Sequence, residues 1–432
     1  MITKPAATLL LGVGLFAGNP ASVSAQHIPV RQLNTPAAHT VAPLGLFLGI
    51  KQLSDGRVIV DDAQNLRLLM FDSTLTKFSI LADTTGKAGF NYGEARGKFT
   101  SYVGDSSLFS EQSSQTLLVL NPSGRVARIT AAPKPLDVSG FPAEMLHSDA
   151  QGRLLYRGFK PRRTAAARPI PWGDKQFLIQ HSDSSPIVRA DFDTRKVDTL
   201  AWLKMPTGPV FIASQLTDGT YKYEENRIMP LSWVDDWTRT ADGAIAIVRG
   251  QDYHIDWITP DGRVVSTPKM PFDWIRVTDA DKRRLSDSAR TVAESELANA
   301  TKRAPLSPPT QPGSRQMTVR ISPLDYTGTA LVTTAKIVLV PLSEMPDYWP
   351  PVRFGSVLAD LDSNVWILPT STAQRAGGGI VYDVVNRSGQ LFQRVQLPSN
   401  RSIAGFGPNG VIYLRSRDSA LIWHLERTSV RR

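Results

Sequence analysis

Short apolar runs separated by turn residues recur along most of the chain. In the clearest unit, from Leu44 to Asp83, runs rich in Val, Ile, Leu and Phe are bounded by Asp, Gly, Asn and Ser. Runs of this length and composition are typical of β-strands. Four strands are predicted here, at Leu44–Leu53, Arg57–Asp61, Leu66–Phe71 and Lys77–Leu81. Gly56 in the first turn can adopt a positive φ at little cost, which favours a tight hairpin.

The same four-strand pattern occurs further along the chain. Repeated units of this kind are typical of β-propeller blades. The further units are predicted at Phe99–Ala132, Glu144–Trp202, Ser232–Met270, Val352–Leu397 and Arg401–Leu425. The last unit supplies only three strands, so we expect Ile28–Leu33 to add its fourth strand and close the ring. The predicted fold is all-β, a six-bladed β-propeller of four-stranded antiparallel blades. Seven blades are the alternative, since the chain is long enough for them.

One insertion, residues 271–351 between blades four and five, departs from the strand pattern. Apolar residues between Thr278 and Ala304 recur at helical spacing, and Thr278 with Asp281 resembles a capping box, so we predict a helix. Pro305–Ser314 has the composition of a turn-rich linker. Arg320–Val340 has strand-like composition, but the pattern does not place it.

Loop lengths distinguish the two faces of the predicted ring. In each blade, the connection between strands two and three and the link to the next blade lie on one face, here called the loop face. The two remaining connections lie on the opposite, turn face. Five long insertions fall on the loop face: Thr84–Lys98, Gly158–Ser185, Pro206–Leu231, Pro271–Pro351 and Pro369–Gly378. Functional loops concentrate on one side of a rigid scaffold, so we expect the loop face to bind. In the alternative interpretation, the insertions only cover the channel.

The N-terminal segment has the features of an export signal. Met1–Ala25 contains one charge, Lys4, then an apolar run, and ends in the small-x-small pattern Val23-Ser24-Ala25. This pattern predicts a secretory signal peptide cleaved after Ala25, with an uncleaved anchor as the alternative. We therefore expect a secreted or periplasmic protein with a single domain at 26–432 and no transmembrane segment after signal removal.

The charge pattern limits the classes of partner. The formal net charge is +10, but Lys and Arg are interspersed and form no array with aromatic residues. This distribution predicts no nucleic-acid partner. A basic exported protein could favour anionic envelope surfaces. We expect a monomer whose partner is an unidentified small molecule or protein.

Arginines recur at predicted loop-face positions, and they are the principal candidates for ligand binding. They are Arg96, Arg157, Arg249, Arg353 and Arg417. With Tyr92, Trp172, Tyr348 and Trp349 they would form a basic, aromatic-lined mouth suited to an anionic or sugar-like ligand. Asp235 and His254, also predicted near this face, complete the candidate set. In the alternative interpretation, these side chains form salt bridges and hydrophobic caps.

No metal or cofactor site is predicted. The six histidines are scattered without H-E-x-x-H spacing, and no unit has the D-x-D-x-D-G ligand series with a distal Glu. G-x-S-x-G is absent, which excludes the α/β-hydrolase nucleophile by motif. The Asp-Gly turns indicate architecture. Asp61-Asp62 and Asp235-Asp236 are the best carboxylate pairs, and Asp235 lies where channel metals bind in some propellers.

The repeated phrase of Asp-Gly-Arg, an alternating apolar run and a later Phe-Asp resembles the six-bladed propellers of the NHL-repeat and TolB-like superfamily. The resemblance covers Leu44 to Leu425 apart from the loops, and is greatest for secreted bacterial members that lack an assigned function. In the related gluconolactonases the first inner strand carries a metal-binding Glu, but Leu44–Leu53 has no carboxylate. Peptide-amidating lyases place several histidines around a central zinc, and the histidines here do not recur in that way.

These observations favour an exported propeller that binds a ligand or a protein partner on its loop face. A metal-assisted hydrolase or lyase, with its site at the channel mouth near Asp235, is the alternative. A structural or docking module of the cell envelope is a third class. Whether the chain is catalytic stays open at the level of sequence.

Overall fold

The structure is a computed structural model of the 432-residue chain. It describes residues 28–87, 89–93, 96–111, 116–131, 146–158, 161–165, 176–181, 183–206, 210–215, 221–303, 330–331, 336–371 and 379–431. Among the described residues, six sheets are blades, each with four antiparallel strands. In the first five blades the four strands follow each other in sequence order. In the sixth blade the outermost strand comes from the N-terminal segment. The six-bladed β-propeller predicted from the sequence is therefore confirmed. The predicted signal peptide and the linker Pro305–Ser314 lie outside the described residues.

The N-terminal strands and the first three blades come first along the chain. They contain β1 (Val30–Gln32), β2 (Ala38–His39), β3 (Ile50–Gln52), β4 (Val58–Asp62), β5 (Arg67–Phe71), β6 (Phe78–Asp83), β7 (Phe90–Asn91), β8 (Lys98–Ser101), β9 (Ser107–Glu111), β10 (Thr116–Leu120), β11 (Val126–Ala131), β12 (His147–Ser148), β13 (Leu154–Arg157), β16 (Ser184–Ala190) and β17 (Val197–Lys204). Strand β4 is buried along its whole length because strands and neighbouring blades cover it on every side. The outermost strand of each blade has a solvated face, as in β11.

Blades four to six have the same plan. Their strands are β20 (Asp236–Arg239), β21 (Ile245–Arg249), β22 (His254–Ile258), β23 (Val264–Ser266), β26 (Val357–Ala359), β27 (Val365–Ile367), β28 (Val381–Val385), β29 (Leu391–Gln396), β30 (Arg401–Gly407), β31 (Val411–Arg417) and β32 (Trp423–Ser429). First strands of successive blades contact each other, as β3 does with β8 and with β30, so they surround the channel.

The apolar core lies between blades. Between blades one and two, for example, Leu53 and Ile59 pack with Phe109 and Leu118, all nearly inaccessible to solvent. Comparable clusters fill other contacts between neighbouring blades, and burial of apolar surface holds the ring together.

Ring closure uses a different segment from the one predicted. Residues 33–40 lie along β32: the N–H groups of Asn34, Ala37 and Thr40 donate to carbonyl groups of that strand at 2.8–2.9 Å. Strand β1, within the predicted Ile28–Leu33, instead pairs parallel with β29 of blade five. The N-terminal segment therefore closes the ring, as predicted, but the predicted residues are wrong. The chain crosses from blade five to blade six at Leu33, so the closing strand lies after this residue.

Three loop-face insertions build one further sheet. Its strands are β14 (Pro161–Ala165), β15 (Gln176–His181), β18 (Val210–Gln215), β19 (Tyr221–Ile228), β24 (Ala330–Leu331) and β25 (Lys336–Leu339). They pair in the order β14-β15-β18-β19, with β24 and β25 both parallel to β19. We refer to this as the accessory sheet. Strands β24 and β25 lie within Arg320–Val340, the segment of strand-like composition that the sequence pattern did not place.

The predicted helix is present as α1 (Asp279–Arg303). Its capping box forms as expected: the Asp281 N–H donates to Thr278 Oγ1 at 3.1 Å, and the Thr278 N–H donates to Asp281 Oδ2 at 3.2 Å. Lys282, only 6% exposed, donates from Nζ to Leu342 O, Met345 O and Asp347 Oδ1. These bonds hold the first turn of the helix against the 3₁₀ turn Leu342–Glu344.

Candidate functional site

The loop-face ends of the blades bring several of the predicted site residues to one side of the ring. Arg157 and Arg249 end the second strands of blades three and four, and Arg353 precedes the first strand of blade five. Since second strands run towards the face from which first strands start, the three lie on the same face. Their environments differ in the partners available to each guanidinium group.

Arg157 has a half-buried guanidinium whose donors are largely unused. It lies over the ring of Phe354, 4.7 Å from the centroid, and Nη1 contacts Met205 Sδ at 3.7 Å. A thioether is a weak acceptor. Within the described part of the chain, no carboxylate lies at ion-pairing distance from it. Burial lowers the pKa of Arg157 from its usual value, and the charge of Asp236 only partly opposes this shift. Arg157 reaches from blade three to the link that enters blade five, across the start of blade four.

Arg353 is exposed next to Phe354, and no described residue accepts a bond from its guanidinium. Burial raises the pKa of Tyr382 in blade five to about 12, and the charges of Arg415 and then Arg353 oppose this shift. Arg96, in the link between blades one and two, is also exposed. Arg353 and Arg157 are thus both on the loop face: Arg353 precedes Phe354 in the chain, and Arg157 contacts the ring of Phe354.

Arg249 is a structural residue. Its Nη1 pairs with Asp235 Oδ2 and its Nε with Asp256 Oδ2, both at 2.7 Å, and Nη1 also donates to Trp202 O. Burial lowers the pKa of Arg249, but the hydrogen bonds to Asp256 and Asp235 outweigh it and raise the pKa above its usual value. This guanidinium is committed to the blade, as the alternative interpretation of the sequence anticipated.

Asp235 and His254 belong to the same network. Asp235 accepts from the N–H groups of Lys204 and Gly250 in addition to Arg249, so both of its oxygens are bonded. The imidazole of His254 lies between two carboxylates: Nδ1 is 2.6 Å from Asp252 Oδ1, and Nε2 is 3.3 Å from Asp256 Oδ1. The network runs outwards along blade four, and it gives Asp235 no open oxygen for a metal.

Arg417 caps its own loop. Its Nε donates to Leu421 O at 3.0 Å, and the guanidinium lies 5.3 Å from the ring centroid of Trp423. It is on the loop face, but its contacts with described residues do not include Arg157 or Phe354. Its place at the end of a second strand puts Arg417 on the loop face, and its contacts show that it stabilises the loop that follows β31.

The predicted aromatic lining is only partly present. Tyr92 is fully buried and donates to Asp61 Oδ1 at 2.6 Å, and Trp349 is 5% exposed, so neither lines an open mouth. Tyr348 is 45% exposed. Trp172 lies outside the described residues. Phe354, which the sequence analysis did not single out, is the aromatic side chain that contacts Arg157.

Several aspartates are buried between strands or blades. Two of them, Asp61 and Asp236, are members of the Asp-Asp pairs singled out from the sequence. Burial raises the pKa of Asp61 and that of Asp236 to about 7. Asp236 Oδ2 accepts from the N–H groups of Ser356 and Val357 and so joins blade four to blade five. Asp383 joins the same two blades by accepting from Tyr253 Oη at 2.7 Å, a contact with no sequence signal.

Among the described residues, no three His, Asp or Glu side chains are grouped as metal ligands. In the same residues, no helix has the length and apolar composition that a membrane crossing requires.

No protein-family profile matches the chain, and no curated protein matches it. It is similar to solved structures at low identity. Virginiamycin B lyase from Staphylococcus aureus has 10% identity and a TM-score of 0.37 over 90% of this chain and 99% of that one. A DUF4221 family member from Bacteroides vulgatus has 9% identity and a TM-score of 0.41 over 92% and 98%. A gluconolactonase from Xanthomonas campestris has 7% identity and a TM-score of 0.33 over 89% and 87%. Similarities at this level carry no inference about activity.

Proposed function

We propose that the chain is exported after cleavage behind Ala25, and that its propeller domain, residues 26–432, binds an anionic group of a ligand or partner protein on the loop face. Arg157 is the anchor in this proposal, with Arg353 beside it. The observation that carries it is the half-buried guanidinium of Arg157, held on Phe354 without a carboxylate partner among the described residues.

The physical argument is that a desolvated guanidinium is costly to leave unpaired. Hydrogen bonds between Arg and a carboxylate or phosphate are strong, and Arg presents a planar, bidentate donor set. A group that binds at Arg157 would therefore recover interactions that folding alone does not provide. The accessory sheet supports the same interpretation, since three insertions from different parts of the ring add ordered structure to this side.

The test uses residues 26–432, screened by thermal shift and calorimetry against carboxylate- and phosphate-bearing sugars and acidic peptides. We expect Arg157→Ala to weaken binding of a hit by at least ~10-fold, because charge-assisted bonds are lost. Arg157→Lys should fall between wild type and Arg157→Ala, since it keeps the charge but loses the fork and the ring stacking.

The matched control is Arg125→Ala, which removes an exposed arginine after a turn on the opposite face. It should leave affinity unchanged. Equal affinity of wild type and Arg157→Ala for every anionic hit would refute the proposal. Arg249→Ala is unsuitable as a binding test, because breaking its two ion pairs is expected to destabilise the blade.

A further inference from the structure

A recess lies on the turn face, between blades five and six. It has a volume of about 550 Å³, which is within the range of sites for small organic ligands. Its walls come from the first turn of blade five, the first turn of blade six, and the outer strand β29. We call it the blade 5/6 cleft. It is on the opposite side of the ring from Arg157, so it is independent of the function proposed above.

The N-terminal segment bounds the cleft on the outside. This segment passes from β29 in blade five to β32 in blade six, with Leu33 paired to Val430. The crossing places Arg31 beside Arg431, the second-last residue of the chain. The Arg431 N–H donates to Gln32 O at 2.9 Å, and Arg31 Nη1 donates to Arg431 O at 3.4 Å. Both arginine side chains are exposed and line the cleft.

These two guanidinium groups have no carboxylate at ion-pairing distance in the described chain. Arg31 makes only the long bond to a backbone carbonyl, and no side-chain bond is formed by Arg431 with a described residue. The outer end of the cleft therefore presents two cationic side chains with open donors. An arginine pair of this kind matches a carboxylate in both charge and geometry.

Aromatic rings form the apolar part of the cleft. Phe392 is 37% exposed on β29, and Phe406 is half-buried with its ring centroid 5.2 Å from that of Trp366. Trp366 itself is fixed, because its Nε1 donates to Asp360 Oδ2 at 2.9 Å. Partly exposed rings on rigid strands offer flat apolar surface to a ligand ring.

The inner end of the cleft, at the first turns of blades five and six, is polar. Asp360 is saturated by N–H groups of Asp362, Asn364 and Trp366 and serves the turn itself. Asp362 is exposed, so its carboxylate can accept hydrogen bonds from a ligand. At Gly410, with φ +71°, nothing lies within 4 Å of an added Cβ, so the backbone is accessible. Carboxylate and backbone groups of this kind accept bonds from hydroxyls.

We propose that the blade 5/6 cleft binds an acidic saccharide, with the sugar carboxylate on Arg31 and Arg431, the ring against Phe392 and Phe406, and hydroxyls towards Asp362. The open charges of the cleft are separated along its length: Arg31 and Arg431 lie at the outer end and the carboxylate of Asp362 at the inner end. The arrangement therefore orients a ligand that carries both an acid and hydroxyls. A neutral sugar would leave the arginine end unused.

The test is calorimetric titration of residues 26–432 with digalacturonate and, in parallel, with the neutral galactose disaccharide. We expect the acidic disaccharide to bind at least ~10-fold more tightly. The double variant Arg31→Ala/Arg431→Ala should abolish this preference, and Phe392→Ala should weaken both disaccharides several-fold. Unfolding temperatures measured alongside establish that each variant is folded.

The matched control replaces Arg125 and Phe78, an exposed arginine and a 44% exposed phenylalanine elsewhere on the ring. This control variant should bind like wild type. The proposal is overturned if neither disaccharide binds at millimolar concentration, if both bind equally, or if the control weakens binding as much as the cleft variants do. Loss of digalacturonate binding in Arg157→Ala, but not in the cleft variants, would assign the saccharide to the loop face instead.

Discussion

At the scale of single residues, the arginines separate into structural and available groups by their partners. Arg249 has two carboxylates at 2.7 Å, whereas Arg157 has a ring and a sulfur atom. Both end second strands on the same face, so position alone does not distinguish them. The distinction matters for experiments, because a variant of Arg249 would report on folding, whereas a variant of Arg157 tests the binding proposed above.

The buried aspartates predict a pH dependence of stability. The pKa of Asp61 and that of Asp236 are raised to about 7 in the folded chain, against an ordinary value near 3.8. Between these values the folded state binds more protons than the unfolded state. The stability contributed by each protonated carboxyl is therefore complete below about pH 4 and is lost as the pH rises through about 7. Each unit of difference between the folded and unfolded pKa corresponds to ~1.4 kcal/mol of the free energy of unfolding.

We expect Asp61→Asn and Asp236→Asn to show a flatter pH dependence than wild type and no loss of stability at pH near 8. An Asn oxygen can still accept from Tyr92, or from Ser356 and Val357. Urea unfolding at several pH values measures the effect. Asp62→Asn is the control: Asp62 accepts from Gly45, Asn65 and Arg67, so its loss should cost stability at every pH. Parallel pH profiles for wild type and both variants would contradict the assignment.

At the scale of elements, the insertion between blades four and five is attached through α1. The amphipathic pattern predicted the helix, but its position depends on Lys282, whose ammonium group reaches two carbonyls and Asp347. A buried ammonium group that is bonded in this way is costly to remove, because its acceptors are left without a donor.

We therefore expect Lys282→Ala to loosen the contact between α1 and residues 342–347 without unfolding the blades. Amide hydrogen exchange should increase in both segments and stay unchanged in β26–β28, since local opening needs less free energy than global unfolding. Arg284→Ala, on the same helical turn but 65% exposed, is the matched control and should have little effect. Similar exchange in the two variants would show that Lys282 does not hold the helix.

At the scale of the whole molecule, the N-terminal segment closes the ring. Residues 33–40 supply the outer strand of blade six, and Thr40, which is fully buried, accepts from the Leu425 N–H through Oγ1. Without this segment β32 would be an exposed edge with unpaired backbone groups.

A chain that begins at Leu33 keeps the closing strand and loses β1, whereas a chain that begins at Val41 loses both. We expect the first truncation to lower the unfolding temperature slightly and the second to lower it strongly and to promote association of exposed edges. Thermal unfolding and light scattering measure both effects. Equal losses from the two truncations would show that residues before Leu33 carry the closure, in agreement with the predicted segment Ile28–Leu33 and against the pairing with β32.

The sequence by itself determined the blades, their turns, the helix and the face that carries the insertions. Alternation of apolar and polar residues, Asp-Gly turns and the Thr278–Asp281 cap all act within a few residues, so they can be identified without knowledge of the fold. The candidate arginines were assigned to their face for the same reason, since strand order fixes the end at which each lies.

Only the tertiary structure decided which side chains meet. Arg157 and Phe354 are far apart in sequence, as are Asp236 and Val357, and the three insertions that form the accessory sheet come from separate links. The closing strand also depends on a distant partner, β32, which is why the local pattern placed it a few residues too early. Local propensity carries no information about such pairs, because ion pairing, desolvation and strand pairing depend on distances that the complete ring sets.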